Sequence, residues 1–298
     1  MSDYQLSIHQ DYSKIAFSAM VSPCEVLVRN LDKKFCHTIA KIITAETKRI
    51  ESKFSRYAKG NLVHRMNHSN DQSVSIDTET FNLLEYARNL FELSDGLFDI
   101  TSGVLREIWH FIPNSKPPTV DEVKKILKRI GFDSLHYDQQ VFSMPKNMQI
   151  DFGGIGKEYA VDQVSKMVKE KCQAKNASYL VNFGGDLSAI KFQKNDPNWI
   201  VGVESANDDD QTASVIKISH GSVATSGNTR RFFEHQGKRY GHLLNPKTGF
   251  PIEGAPRSIT VFADNCVLAG SFSSLAMLKG KHAEKFLKEQ EIKHICLW

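Results

Sequence analysis

Ile150-Asp-Phe-Gly-Gly-Ile-Gly-Lys-Glu-Tyr-Ala-Val-Asp162 reads as the end of a short strand, a glycine turn and the opening of a helix. Glycines let a ligand approach the backbone, and the free N–H groups of a helix start attract an anion. Lys157 adds a point charge suited to phosphate. Asp151 offers a carboxylate to a ring N–H or a hydroxyl; its plain alternative is turn capping. Taken alone, the segment is as readily a strand-to-helix turn without a ligand. A P-loop needs Ser or Thr after the lysine, where Glu158 stands. A dinucleotide fingerprint needs a third glycine where Tyr159 stands.

Outward from this segment, the spacing predicts a helix from about Lys157 to Lys171. Upstream, Phe35, Ile39, Ile42, Ile43, Ile50 and Phe54 recur at helical spacing over Asp32–Phe54. Another helix is expected over Thr80–Leu93, and Thr119-Val-Asp-Glu122 is a capping-box pattern that opens a further one. Ile15–Val28 reads as strand with a break at Ser22-Pro23. Downstream the pattern turns β-rich: Tyr179–Phe183, Trp199–Glu204, Val215–Ser219 and Ser258–Ala263, with a surface loop at Asn207–Asp210. Helices over Val267–Leu278 and Ala283–Gln290 precede a last strand, His294–Trp298. This mixed order predicts an α+β fold, a single domain over residues 1–298 with its ordered core from about residue 15, and not a doubly wound parallel sheet.

The 298 residues are 41% hydrophobic and 24% charged, ordinary for a globular chain with a sizeable core. The net charge of +4 and the isolated pairs Lys33-Lys34 and Arg230-Arg231 give no nucleic-acid stripe. Cys24, Cys36, Cys172, Cys266 and Cys296 contain no CxxC pair, so reduced thiols are expected rather than a disulfide framework or a zinc site. No apolar stretch approaches membrane-span or signal-peptide length, and the expected location is the cytoplasm, or an exported form whose leader is missing.

Four other clusters can carry chemistry. Val181-Asn-Phe-Gly-Gly-Asp186 repeats the pattern of a strand followed by a glycine pair and an acid. Ser94–Gly103 holds Asp99 and Thr101, which would share one side of an extended backbone. Val223–Arg231 offers hydroxyls for phosphate. Asn245–Gly249 is a turn signal preceded by His242, a candidate general base or phosphate contact, though a lone histidine is more often structural.

In this order the segments resemble the FAD:protein FMN transferase family, also called the ApbE family. The resemblance begins at Ala19-Met20 and runs through Ser55-Arg-Tyr57, Asn67, Ser94–Gly103, Asp151–Asp162, Asn182–Asp186, Ala224–Gly227 and His242–Gly249 to Ala269–Gly280. It implies FAD as substrate and magnesium on its pyrophosphate. The acceptor it implies is a flavoprotein whose Thr or Ser hydroxyl takes FMN as AMP leaves. It places Met20, Tyr57, Asp99, Thr101, Asp151, Lys157 and His242 around FAD, with His242 near the attacking hydroxyl. The Gly156 carbonyl and Ser274 would face the metal. Gly270-Ser-Phe-Ser-Ser-Leu275 departs from the family's Asp-Ala-Leu-Ser-Thr-Ala: the metal-binding Asp falls on Gly270 and the Thr on Ser274. An acid the family often has three residues earlier falls on Val267, Glu158 stands where the family prefers glycine, and Asn61 where it prefers serine. The alternative implied is an FAD-binding relative that has lost transfer with this carboxylate. On that reading Gly270→Asp would restore magnesium binding at little structural cost.

Overall fold

The computed structural model describes residues 3–204, 212–228 and 231–298. The Asn207–Asp210 loop, and Thr229 and Arg230, lie outside them. Eight strands form the main sheet: β1 (Gln5–Ile8), β2 (Ser13–Ala19), β3 (Ser22–Val28), β4 (Tyr179–Phe183), β5 (Asp186–Ile190), β6 (His220–Gly227), β7 (Ser258–Ala263) and β8 (His294–Leu297). They lie side by side in chain order, and every neighbouring pair is antiparallel. The helices are insertions into this meander: α1 (Lys33–Phe54), α2 (Leu62–Asn67), α3 (Thr78–Leu93), α4 (Val120–Leu127) and α5 (Gly156–Gln173) between β3 and β4, then α6 (Cys266–Leu278) and α7 (Ala283–Glu289) between β7 and β8. The fold is α+β, as the order of elements predicts.

Alternate strand positions serve opposite faces of the sheet. Val26, Val28, Tyr179, Val181, Phe183, Ile259 and Val261 join Ile39, Ile43, Val161, Val164 and Leu275 in the helix-side core. Leu180, Leu187, Ala189 and Val223 face the other way, onto Trp199 and Ile218 of the hairpin Trp199–Glu204 with Thr212–Ile218. A third cluster, Val104, Leu105, Trp109, Ile126 and Phe233, lies beside the 242–250 loop, where Trp109 Nε1 donates to the Gly249 carbonyl at 2.8 Å. No described helix is long and apolar enough to cross a membrane, and the five cysteines are free thiols.

Helix limits follow their caps. Asp32 caps α1, and Thr119 and Glu122 complete the capping box on α4. Three readings are corrected. The break in the first hairpin is at Met20-Val21, both in left-handed backbone (φ 51° and 56°), and Ser22-Pro23 already belongs to β3. His220–Gly227, absent from the expected strands, is a central strand. Ile150 is extended without sheet partners: the Asn67 side chain takes a partner strand's place, accepting from Ile150 N at 2.7 Å and donating to its carbonyl at 3.0 Å.

Glu79 ties the helices together. It accepts from Arg49 (2.7 Å) and Lys53 (2.5 Å) of α1 and from the Tyr159 hydroxyl (2.7 Å) of α5. Burial opposes its charge, but these donors hold the carboxyl at about 2, below its ordinary 4.5. A depressed pKa stabilises the fold above 4.5, and that stabilisation is lost as pH falls toward 2. Glu79→Gln is expected to cost about 1 kcal/mol at neutral pH after solvent screening. Thermal unfolding of both proteins across this pH range checks it: the gap should shrink in acid, and a constant gap would refute the account.

Candidate active site

The tips of two hairpins meet at one end of the sheet. Met20-Val21 joins β2 to β3, and Gly184-Gly185 joins β4 to β5 in left-handed backbone (φ 61° and 99°) that a two-residue hairpin demands. Gly184 N donates to the Pro23 carbonyl at 2.9 Å, and Met20 N donates to Glu51 of α1 at 2.7 Å. Val21 is 94% exposed, a β-branched residue in a conformation such residues avoid. Left-handed strain of this kind collects at ligand sites.

The α5 N-terminus points into the same region. Lys157 Nζ bonds Asp186 Oδ2 at 2.6 Å, and a side chain at Gly184 would lie 3.8 Å from that ammonium. Burial alone would lower the Lys157 pKa; the charge of Asp186 outweighs it and holds the ammonium protonated. Asp186, buried, also accepts from the Thr225 N–H of β6. Nothing lies within 4 Å of where a side chain would project at Gly156, so that side of the helix start is open to a ligand, while the Gly156 N–H itself donates to the Phe152 carbonyl at 2.8 Å.

Asp151 stands one turn earlier. Its Oδ1 accepts from Gly153 N at 2.8 Å, the turn cap, and its Oδ2 pairs with Arg56 at 3.1 Å. Tyr57, beside Arg56, is 75% exposed and free to cover a ligand. Asp99 and Thr101 do not share one side of an extended strand. Asp99 caps a 3-10 helix, Ile100–Glu107, and accepts from Thr101 N (2.7 Å), Thr101 Oγ1 (2.6 Å) and Phe132 N (3.2 Å). Thr101 is fully buried. Burial raises the Asp99 pKa, and the Thr101 and Phe132 donors oppose that rise. Asp99 still lines a surface cavity of about 440 Å³ with Gly96, Gly131, Pro246 and Lys247. Asp151 N donates to the Ile100 carbonyl at 2.9 Å, so these two acidic segments adjoin.

His242 directly follows the hairpin of Phe232–His235 with Lys238–Gly241. Its backbone N–H donates to the Arg231 carbonyl, and its Nδ1 lies 3.1 Å from the same oxygen. Nδ1–H is therefore the donor, which leaves Nε2 as a free acceptor. Burial lowers the His242 pKa to about 4, helped by the charges of Arg231 and Arg106 against the carbonyl bond. The ring is neutral at physiological pH. Phe111 stands edge-on to it at 6.4 Å.

The ApbE family profile matches residues 20–297, nearly the whole chain. The chain belongs to the ApbE family. An FAD:protein FMN transferase of Haemophilus influenzae is 28% identical over 268 residues, 86% of this chain and 76% of that protein. One from Vibrio cholerae is 26% identical over 238 residues, 78% of this chain and 70% of its own. The Thermotoga maritima ApbE protein superposes with a TM-score of 0.84 at 30% identity, covering 96% of this chain and 94% of that one. A Pseudomonas stutzeri flavinyl transferase ApbE, at 23% identity, shares the fold with a TM-score of 0.82.

Within this ApbE fold, sequence reasoning missed what Gly270 faces. Gly270 is buried inside α6, not at its start, which Asn265 caps. A Cβ there would sit 2.5 Å from Glu158 Cγ and 2.9 Å from its Oε1. Gly270→Asp is therefore not a cheap change: it must push Glu158 aside. Asp162 of α5 sets the helix pair, accepting from Cys266 N (2.7 Å) and Val267 N (2.9 Å) of α6. Ser226 of β6 bonds Ser273 (2.8 Å) and Ser274 (3.2 Å), and Ser273 donates to the Gly270 carbonyl at 3.0 Å. Among the described residues, no three His, Cys, Asp or Glu side chains gather into a metal cage.

Proposed function

We propose that this chain is an FAD:protein FMN transferase that moves FMN from FAD to a Thr or Ser hydroxyl of an acceptor flavoprotein and releases AMP. The observation that carries the reading is His242: a neutral imidazole whose Nδ1 is committed to a carbonyl, leaving Nε2 to take a proton. The family's curated relatives named above supply the reaction.

In this reading Lys157, the open side of the α5 start and the Gly184-Gly185 tip receive the FAD pyrophosphate. Met20 and Tyr57 face the ring system, and Asp99 and Asp151 face the polar edges of the ligand. The acceptor hydroxyl gives its proton to His242 Nε2 as its oxygen bonds the FMN-side phosphorus. The phosphorus–oxygen bond to AMP breaks, and AMP leaves with the bridging oxygen. Such transfer needs in-line positioning and charge neutralisation more than covalent help from the protein. Magnesium, held by the Gly156 carbonyl, Ser274 and substrate oxygens, would neutralise pyrophosphate charge. The residues fit a hard cation: Gly156 is open and a buried carboxylate oxygen beside Gly270 lacks a partner.

The test is stoichiometric. With FAD, magnesium and an acceptor domain, AMP should form one-for-one with acceptor-bound flavin, and an acceptor whose Thr is replaced by Ala should abolish both. AMP release without flavin on the acceptor would make the chain a hydrolase instead.

A further inference from the structure

We propose that Glu158 is the carboxylate this chain turns toward its divalent cation, delivered from α5 and not from position 270 of α6. The inference rests on the transferase reading for the pyrophosphate that the cation bridges, but its geometry is that of this chain alone.

Three observations carry it. First, the Glu158 stem occupies the space a side chain at 270 would fill, its Cγ 2.5 Å from an ideal Cβ there. Gly270 lies in helical backbone with no positive φ, so the demand for glycine comes from the neighbour and not from conformation. Second, the Glu158 Oε2 atom is buried and has no hydrogen-bond partner. A buried carboxylate oxygen without a partner is costly, and proteins keep such groups where an ion or substrate completes them. Third, the two elements that meet at Glu158 and Gly270 carry oxygen groups suited to a hard cation. Ser273 and Ser274 hydroxyls cluster on the next turn of α6, and the start of α5 is open on one side at Gly156. Magnesium asks for oxygen ligands, usually with one or two carboxylates among them and the substrate's phosphates completing the set.

The other charged groups facing this point are Lys157, Asp186 and Asp162. Lys157 is already committed to Asp186, and both Asp162 oxygens cap α6. Glu158 is thus the carboxylate of the group with an oxygen to spare: it meets its own backbone N–H, and its Oε2 has no partner. Glycine at 270 and glutamate at 158 then form one exchange: the acid has moved across the helix pair, and the glycine makes room for it.

The experiment is calorimetric titration of Mn2+ into the full chain with saturating ADP as a non-transferring pyrophosphate probe, with thermal unfolding in parallel. Glu158→Gln keeps the shape and should weaken Mn2+ binding at least tenfold and remove most of the Mn2+-dependent rise in Tm. Glu158→Gly combined with Gly270→Asp should recover Mn2+ affinity to within about threefold, since each 1.4 kcal/mol is a factor of ten. Gly270→Asp alone should lower Tm and not tighten Mn2+. Wild-type Mn2+ affinity in Glu158→Gln, or no Mn2+ binding by the wild type, would overturn the proposal. The readout is independent of catalysis. Loss of Mn2+ binding in Glu158→Gln with no FMN transfer by the wild type would uphold Glu158 and remove the transferase reading. Transfer with unchanged Mn2+ binding would do the reverse.

Discussion

His242→Ala should lower kcat/KM for FMN transfer by about 10²- to 10⁴-fold, the range a positioned general base supplies. FAD affinity should change little, because the ring bonds the Arg231 carbonyl and not the expected phosphate cradle. The pH profile separates chemistry from structure. Burial first, then the nearby arginines, bring the His242 pKa down from 6.5 to about 4. The imidazole is thus already unprotonated at pH 6, and the acid limb of kcat/KM should fall near pH 4 and not near 6.5. Below that limb Nε2 carries a proton and cannot accept one. The linkage has the same sign: the neutral buried ring favours the fold above 6.5, and that contribution fades as pH falls through about 4. An acid limb at 6.5 in the wild type, or a His242→Ala enzyme with full kcat/KM, would remove His242 from the reaction.

Lys157→Ala should act on rate and on stability together. Loss of one preorganised donor to developing phosphate charge costs about 10²- to 10³-fold in kcat. The same change leaves Asp186 buried, with only the Thr225 N–H, and removing one partner of a buried pair costs about 3–5 kcal/mol. The double change Lys157→Met with Asp186→Asn tells the two effects apart. It removes the stranded charge, so Tm should recover while transfer stays low. Recovery of both would mean that Lys157 only supports the fold. Failure of Tm to recover would mean that the ion pair is not what Lys157→Ala disrupts.

The helices and most strands were legible because their signals are local. Asp32, the Thr119–Glu122 box and the apolar spacing of α1 each sit within a few residues of what they determine. The two glycine pairs, at 153–154 and 184–185, were legible as neighbours in a shared region, and the structure brings the second close to Lys157, which follows the first in the chain. The backbone at Asp99 and Thr101 was misread for a local reason: a 3-10 helix was taken for extended chain, and the cap that Asp99 makes on Thr101 was not foreseen. The strand His220–Gly227 was missed because its Ser, Thr and Gly content reads as turn, whereas its central place in the sheet makes it strand. Glu158 and Gly270 were each visible as departures from the family pattern. Their contact was not, since no sequence spacing tells that residue 270 of one helix faces residue 158 of another. Read separately they suggested a lost ligand. Packed together they form one arrangement.

The most direct test of the account is the intact mass of an acceptor flavoprotein domain after incubation with this chain, FAD and magnesium. A gain equal to FMN less one water, carried by a single Thr or Ser and abolished by His242→Ala, is the expected result. An unchanged acceptor mass, with the chain folded and FAD bound, would contradict the assignment of transfer to this site.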